Sequence, residues 1–417
     1  MNYQTHTCQN GLHIIHLPSE SLVIYCGLAV KAGTRHEAPG EEGLAHFCEH
    51  MAFKGTQRRT AVQIINSLEG VGGELNAFTN KEDTVYYAAT TNKHLRQTVD
   101  VLCDIVFCSK YPDHEVEKER EVVCDEIESY EDTPAELIFD EFENLLFSGH
   151  PLGHNILGTS ERVRNYTSSH ARSFTQKYYR PDNCIFFASG KLNFKQLVKW
   201  CEAIGLIGPI SPIGPISPIS PISPISPIGP MAPVPTSPIV RHRGTHQAHV
   251  MIGARTFAAS DSRRWPLFLL NNLLGGPSMN SRLNLSLRER NGLVYTVESN
   301  MATYSDTGVW SVYFGCDPHD VKRCCQLVQR ELDKLRKAPL SEAQLRKAKQ
   351  QIGGQLAIAA DNREQFTLDF AKNFLHLGKE RHLNDILQHI NAITASDLHA
   401  VACDIFDPQR LLTLIYY

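Results

Sequence analysis

The stretch Glu42-Gly-Leu-Ala-His46-Phe-Cys-Glu49-His50-Met-Ala-Phe53 carries the reading on which the rest turns. Two histidines four residues apart bracket a glutamate, in the order H-x-x-E-H. On a helix, residues four apart lie one above the other on the same face. His46 and His50 can therefore direct two imidazoles at one zinc ion, and imidazole is a ligand that zinc accepts readily. Glu49 stands beside that pair, where a carboxylate could take a proton from a zinc-bound water and pass it to a leaving amine. The order is the reverse of the H-E-x-x-H zinc signature. Two helical histidines can also sit in solvent or against a core with no metal, so the pattern needs support from elsewhere in the chain.

A catalytic zinc usually has three protein ligands and one open position. The candidate source of the third is Val116-Glu-Lys-Glu119-Arg-Glu-Val-Val-Cys-Asp-Glu126-Ile127. Val116, Val122, Val123 and Ile127 recur at helical spacing. Glu119 and Glu126, seven apart, share the face of Val122 and Val123. Taken alone, this is equally a helix edge rich in solvated acids. A third block runs Gly73-Glu-Leu-Asn76-Ala77-Phe78-Thr-Asn-Lys-Glu82-Asp-Thr-Val85-Tyr86-Tyr87. Its β-branched and aromatic residues read as a pair of strands.

Taken together, these blocks resemble the pitrilysin/insulinase family of zinc peptidases, above all the branch with mitochondrial processing peptidase and its bacterial relatives. Glu126 stands seventy-odd residues past His50, as the third ligand does in that family, and Glu119 lies two turns earlier. Gly43-Leu-Ala before the motif, Ala52-Phe-Lys-Gly-Thr56 after it and Asp132-Thr-Pro134 behind the glutamates also match. The resemblance implies one Zn2+ per chain, held by His46, His50 and Glu126. It implies Glu49 as general base and Glu119 as a residue that orients a ligand. It further implies that Asn76, Ala77 and Phe78 lie on an exposed edge strand beside the zinc, to which a peptide adds by main-chain hydrogen bonds.

Farther along, Asn271-Asn-Leu-Leu-Gly-Gly-Pro-Ser-Met-Asn-Ser-Arg282 precedes Leu287-Arg288-Glu-Arg-Asn-Gly-Leu-Val-Tyr295. On their own these residues read as a surface arginine and a strand tyrosine. The block resembles the family's second-domain signature, which implies that Arg288 and Tyr295 contact substrate opposite the zinc.

Between the two regions, Ile207 to Pro230 is eight triplets of Ile-Ser-Pro or Ile-Gly-Pro. Proline at every third position excludes helix and central strand. The expectation is an extended polyproline linker, roughly 75 Å long at about 3.1 Å per residue. Docking of a proline-recognising domain is the alternative use. The chain then divides into 1–205, a catalytic zinc-binding domain; 206–240, the linker; and 241–417, a second domain. In each half strands precede a run of helices, with helices expected at Leu95–Phe107, His114–Tyr130, Ala135–Phe147, Val321–Arg336, Glu342–Ala359 and Gln365–Leu375. This is an α+β pattern with helices packed on one face of a mainly antiparallel sheet. The resemblance makes the halves homologous and the pair one half of a clamshell.

The chain has 417 residues and a net charge of −4, which gives no footprint for nucleic acid. No apolar run reaches the eighteen or so residues of a membrane span. Asn10-Gly11 reads as a hairpin turn near the start, with no secretory leader before it. The 12 cysteines show no framework spacing, so they read as reduced thiols in the cytoplasm. The expected activity is a zinc endopeptidase acting on peptides or unfolded segments in an enclosed chamber. The resemblance implies a homodimer, or a heterodimer with a related subunit, in which Arg288 and Tyr295 serve the partner's zinc. The alternative is a partner-dependent or inactive scaffold subunit.

Overall fold

The computed structural model describes residues 3–205, 233–378 and 383–417. The Ile-Ser/Gly-Pro tract lies outside the described residues. Two sheets organise the chain. The first contains β1 (Gln4–Thr7), β2 (His13–Pro18), β3 (Val23–Val30), β4 (Glu74–Thr79), β5 (Thr84–Thr91) and β6 (Cys184–Gly190), in the order β1-β2-β6-β3-β5-β4. The second contains β7 (Ile239–Arg241), β8 (Ala248–Thr256), β9 (Val294–Thr303), β10 (Gly308–Cys316) and β11 (Leu412–Tyr416), in the order β7-β11-β8-β10-β9.

The two orders are the same pattern. With β1 set aside, β2-β6-β3-β5-β4 maps strand for strand onto β7-β11-β8-β10-β9. The single parallel pairing falls at the same place in both, β2 with β6 and β11 with β7, and the remaining pairings are antiparallel. The halves are thus structural repeats of one α+β architecture, as the family resemblance implied. In both repeats the last strand of that order, β4 or β9, is a sheet edge.

Side-chain alternation along the strands gives the first sheet two cores, because successive residues face opposite sides. In the first sheet Ile14, Leu28 and Phe186 enter the main core with the helices Leu44–Ala52 and Leu95–Phe107. Their neighbours Ile15, Ala29 and Phe187 enter a smaller core on the other face. That second face is covered by Leu368, Phe370 and Ala371, from the helix Arg363–Leu377. The second sheet is covered in the same way by Pro134–Leu146, whose Phe139 ring lies 5.0 Å from Tyr313 of β10. The compact units accordingly comprise 3–128, 150–205 and 362–378, and 129–149, 233–361 and 383–417. Beyond the expected helical layer on one face, each sheet therefore carries one helix on its other face, drawn from the opposite half of the sequence. Each expected helix forms within a residue or two of its expected bounds.

Candidate metal centre

The motif helix Leu44–Ala52 carries His46, Glu49 and His50. Its entry is fixed at Gly43, whose backbone is left-handed at φ +93°; a Cβ there would lie 2.5 Å from the Leu157 carbonyl, so only glycine fits. The buried Glu37 carboxylate accepts hydrogen bonds from the Gly43 and Ala45 amides at 3.0 and 2.7 Å. These are helix N-terminal donors that would otherwise lack partners, and a negative charge there is favoured by the helix dipole. His154 donates to the same carboxylate at 2.8 Å. The helix lies over β4, the sheet edge.

A second helix, Asp113–Glu131, brings up Glu119 and Glu126. Glu126 Oε2 lies 3.8 Å from His46 Nε2 and 3.3 Å from His50 Nε2. The three ligand atoms all lie within 4.8 Å of one another. Glu119, 3% exposed, takes a different place: its Oε1 is 3.0 Å from His50 Nδ1, and its Oε2 is 2.6 Å from Lys54 Nζ. A carboxylate with these neighbours accepts, so Nδ1–H is the donor and Nε2 is the ring nitrogen turned toward Glu126. Glu49, 8% exposed, receives a hydrogen bond from Thr79 Oγ1 at 2.5 Å.

The charges of the site's side chains follow from these contacts. Burial, and then the neighbouring His50, lower the His46 pKa to about 4, which leaves it neutral. Burial also disfavours charge on His50, but its hydrogen bonds to Glu119 and Glu126 prevail and raise it to about 9. Burial would raise Glu119; the contacts from His50 and Lys54 instead hold it below the ordinary carboxylate range. The His50 hydrogen bond lowers Glu126. Burial raises Glu49 against the opposing pull of Thr79 and His50.

These residues fit a zinc ion. His46 is in its neutral, ligating form, and its Nδ1 is buried with no hydrogen-bond partner among the described residues. The two imidazoles, 4.6 Å apart between centroids, point at one carboxylate that is accessible to solvent. A cation at that point would take the place of the His50 proton that faces Glu126. Two imidazole nitrogens and one carboxylate oxygen form a donor set of catalytic zinc sites.

Asn76, Ala77 and Phe78 lie on β4, which among the described residues pairs only with β5, in the register Asn76–Tyr87, Ala77–Tyr86 and Phe78–Val85. Ala77 and Leu75 pack into the main core, whereas Phe78 packs on the opposite face, with Lys372 Nζ 5.7 Å from its ring centre. In the other unit, Arg288 sits on a π-helical turn, Asn284–Glu289, with its guanidinium 5.4 Å from the Tyr295 ring centre. Tyr295 is 80% exposed on the edge strand β9. The sequence reading missed Thr79 and Lys54. Thr79 directly follows Asn76-Ala-Phe78, and Lys54 lies in the Phe-Lys-Gly flank, so position alone marked both without showing a contact.

Residues 16–160 match the model described as insulinase (peptidase family M16), and residues 165–352 match the M16 inactive domain. A zinc protease of Bacillus subtilis is 32% identical over 418 residues, which cover 98% of this chain and 97% of the relative. The chain belongs to the M16, or insulinase, family of peptidases. A zinc protease of Streptomyces coelicolor is also 32% identical, over 98% of this chain and 88% of its own. The M16 fold recurs in a protease from Helicobacter pylori, with a TM-score of 0.88, 23% identity, and 100% and 99% of the two chains covered. The structure of an M16 inactive domain from Pseudomonas fluorescens has a TM-score of 0.87 at 17% identity, covering 100% and 98%. Membership in M16 and relatives named zinc proteases support peptidase function. No helix among the described residues is long and apolar enough to cross a membrane.

Proposed function

We propose that this chain is a zinc-dependent endopeptidase with one zinc held by His46, His50 and Glu126. The observation that carries this reading is the convergence of those three ligand atoms within 4.8 Å. Zinc, when bound, polarises the scissile carbonyl and makes the attacking water acidic enough to ionise near neutral pH. Glu49 takes the water's proton and returns it to the leaving amine. Thr79 aims the Glu49 carboxylate through its hydrogen bond. Glu119 holds the His50 ring in one tautomer and orientation, and Lys54 holds Glu119 in turn.

Substrate joins β4 along Asn76, Ala77 and Phe78 as an added strand. Thr79 ends the same strand, so the base and the substrate platform share one backbone. Recognition through the main chain suits loose sequence preference, and an enclosed chamber favours peptides and unfolded segments. Arg288 and Tyr295 stabilise the oxyanion at the zinc site of a second chain, in a homodimer or with a related subunit. The exposure of Tyr295 supports a role toward another surface. The catalytic role belongs to the unit built mainly from 1–205, which also takes 362–378, and the role without zinc to the unit built mainly from 241–417, which also takes 129–149 and residues 233–240. All twelve cysteines are free, which supports a reducing cytoplasm.

The test is cleavage of a mixed peptide library by the purified chain, with and without chelator, beside Glu49→Gln. Chelation should abolish cleavage. The variant should keep its zinc and lose about 10²- to 10⁴-fold in turnover. Turnover that survives in the variant would remove Glu49 as base.

A further inference from the structure

A second group of metal-ligating side chains lies apart from the motif helix. His6 is on β1, the edge strand opposite β4, and Cys8 follows two residues later, so both can turn to one side of an extended chain. Glu202 comes from the helix Phe194–Gly205, which buries Leu197 and Cys201 in the main core. One carboxylate oxygen of Glu202 lies 3.1 Å from His6 Nε2, and the other accepts from the Gln9 amide at 3.5 Å. The ligand atoms of His6, Cys8 and Glu202 all lie within 4.8 Å of one another.

We propose that His6, Cys8 and Glu202 form a second divalent-metal site, which clips the β1 edge of the first sheet to the helix Phe194–Gly205. A sulfur, an imidazole nitrogen and a carboxylate oxygen together suit a borderline ion such as Zn2+ better than Ca2+ or Mg2+. The site is built before the ion arrives. The Cys8 amide donates to the Leu12 carbonyl at 2.8 Å, and the Cys8 carbonyl accepts from the Gly11 amide at 3.0 Å, so the hairpin turn holds the cysteine in place. Cys8 is buried, whereas His6 and Glu202 reach solvent and give an entry path. Binding exchanges the thiol proton for the metal and leaves a fourth position for water. A metal here would fasten the start of the chain to the last helix before residue 206.

The two sites differ in one measurable respect: only this one has a sulfur ligand. The full chain, stripped with chelator and titrated with Co2+, should show a near-ultraviolet thiolate-to-cobalt band in addition to the visible ligand-field absorption. Cys8→Ser should remove the near-ultraviolet band and keep the visible absorption of the first site. His46→Gln should remove the first site's share of the visible absorption and keep the near-ultraviolet band together with the ligand-field bands of the thiolate-bound ion. His6→Gln, a change at a partly exposed position, should weaken Co2+ at the thiolate site by about tenfold or more. No near-ultraviolet band at saturating Co2+, or a band unchanged in Cys8→Ser, would overturn the proposal.

Discussion

At the scale of single residues, the site consists of groups that act and groups that aim them. Glu49 has one described side-chain hydrogen bond, from Thr79. Hydrogen bonds to charged groups are worth about 1.5–3 kcal/mol when one partner is removed. Thr79→Val should therefore lower kcat/KM roughly tenfold to hundredfold. Its zinc content should match the wild type, because Thr79 touches no proposed ligand; metal analysis beside kinetics checks both. Glu119 acts on the other limb. Glu119→Gln keeps the shape but places an uncharged amide between the His50 ring and the Lys54 ammonium, and one end of that amide can no longer accept. Loss of such an orienting partner typically costs about 10- to 100-fold in metal affinity. Competition with a chelator should show that loss. A purely structural Glu119 would lower thermal stability and leave zinc affinity alone.

At the scale of elements, the helix Arg363–Leu377 is pinned to the first sheet by a partly buried hydrogen bond as well as by its apolar face. His376 Nε2 lies 2.8 Å from Asp83 Oδ2, in the turn between β4 and β5. Asp83 is buried, which alone would raise its pKa, yet His376, Asn80 and Lys372 hold it below the ordinary value. A folded-state pKa below the unfolded value of about 3.9 means that Asp83 stabilises the fold fully above that pH. The contribution fades as pH falls through the folded value. Asp83→Asn should thus be less stable than wild type at pH 6, and the difference should shrink toward zero as the pH drops below about 4. Denaturant midpoints across that range measure it; a constant gap would assign the effect to packing.

The same helix shows where the sequence was legible. Gln365–Leu375 was readable as a helix, and so was Ala135–Phe147, because local periodicity reports an apolar face. It does not report which sheet lies beneath that face, so the exchange of the two helices between the halves was not readable. The helices Ser168–Tyr178 and Ala395–Ile405 went unread for another reason. The first is weakly apolar, and both announce themselves mainly through threonine caps, Thr167 and Thr394. At the site, the spacing of the two histidines has a helical meaning, whereas Glu119 and Glu126 read equally as a solvated helix edge and were assigned only through the family resemblance. Thr79 and Lys54 reach their partners across turns and between elements, which spacing does not encode.

At the scale of the whole molecule, the repeats divide the labour. On the proposed function, the first holds zinc through His46, His50 and Glu126, and the second supplies Arg288 and Tyr295, on and beside β9, the strand equivalent to β4. If the second repeat serves the zinc of another copy, each active site in a homodimer draws on two chains. Glu49→Gln should abolish turnover at the site of its own chain. Tyr295→Phe removes an oxyanion donor, a loss of about 10²- to 10³-fold, at the site of its partner. Each variant alone is then impaired at both sites of its dimer. Mixing the two in equal amounts, with subunit exchange, gives mixed dimers as half of the population. In each of these, one site combines an intact Glu49 with an intact Tyr295. Activity should recover to about a quarter of wild type, since half of the dimers hold one intact site of two. If Tyr295 instead works within its own chain, no mixed dimer assembles a complete site and the mixture stays near the mean of the two inactive variants. Assaying the mixture over a dilution series adds a second check, because recovery in trans must fall as the dimers dissociate.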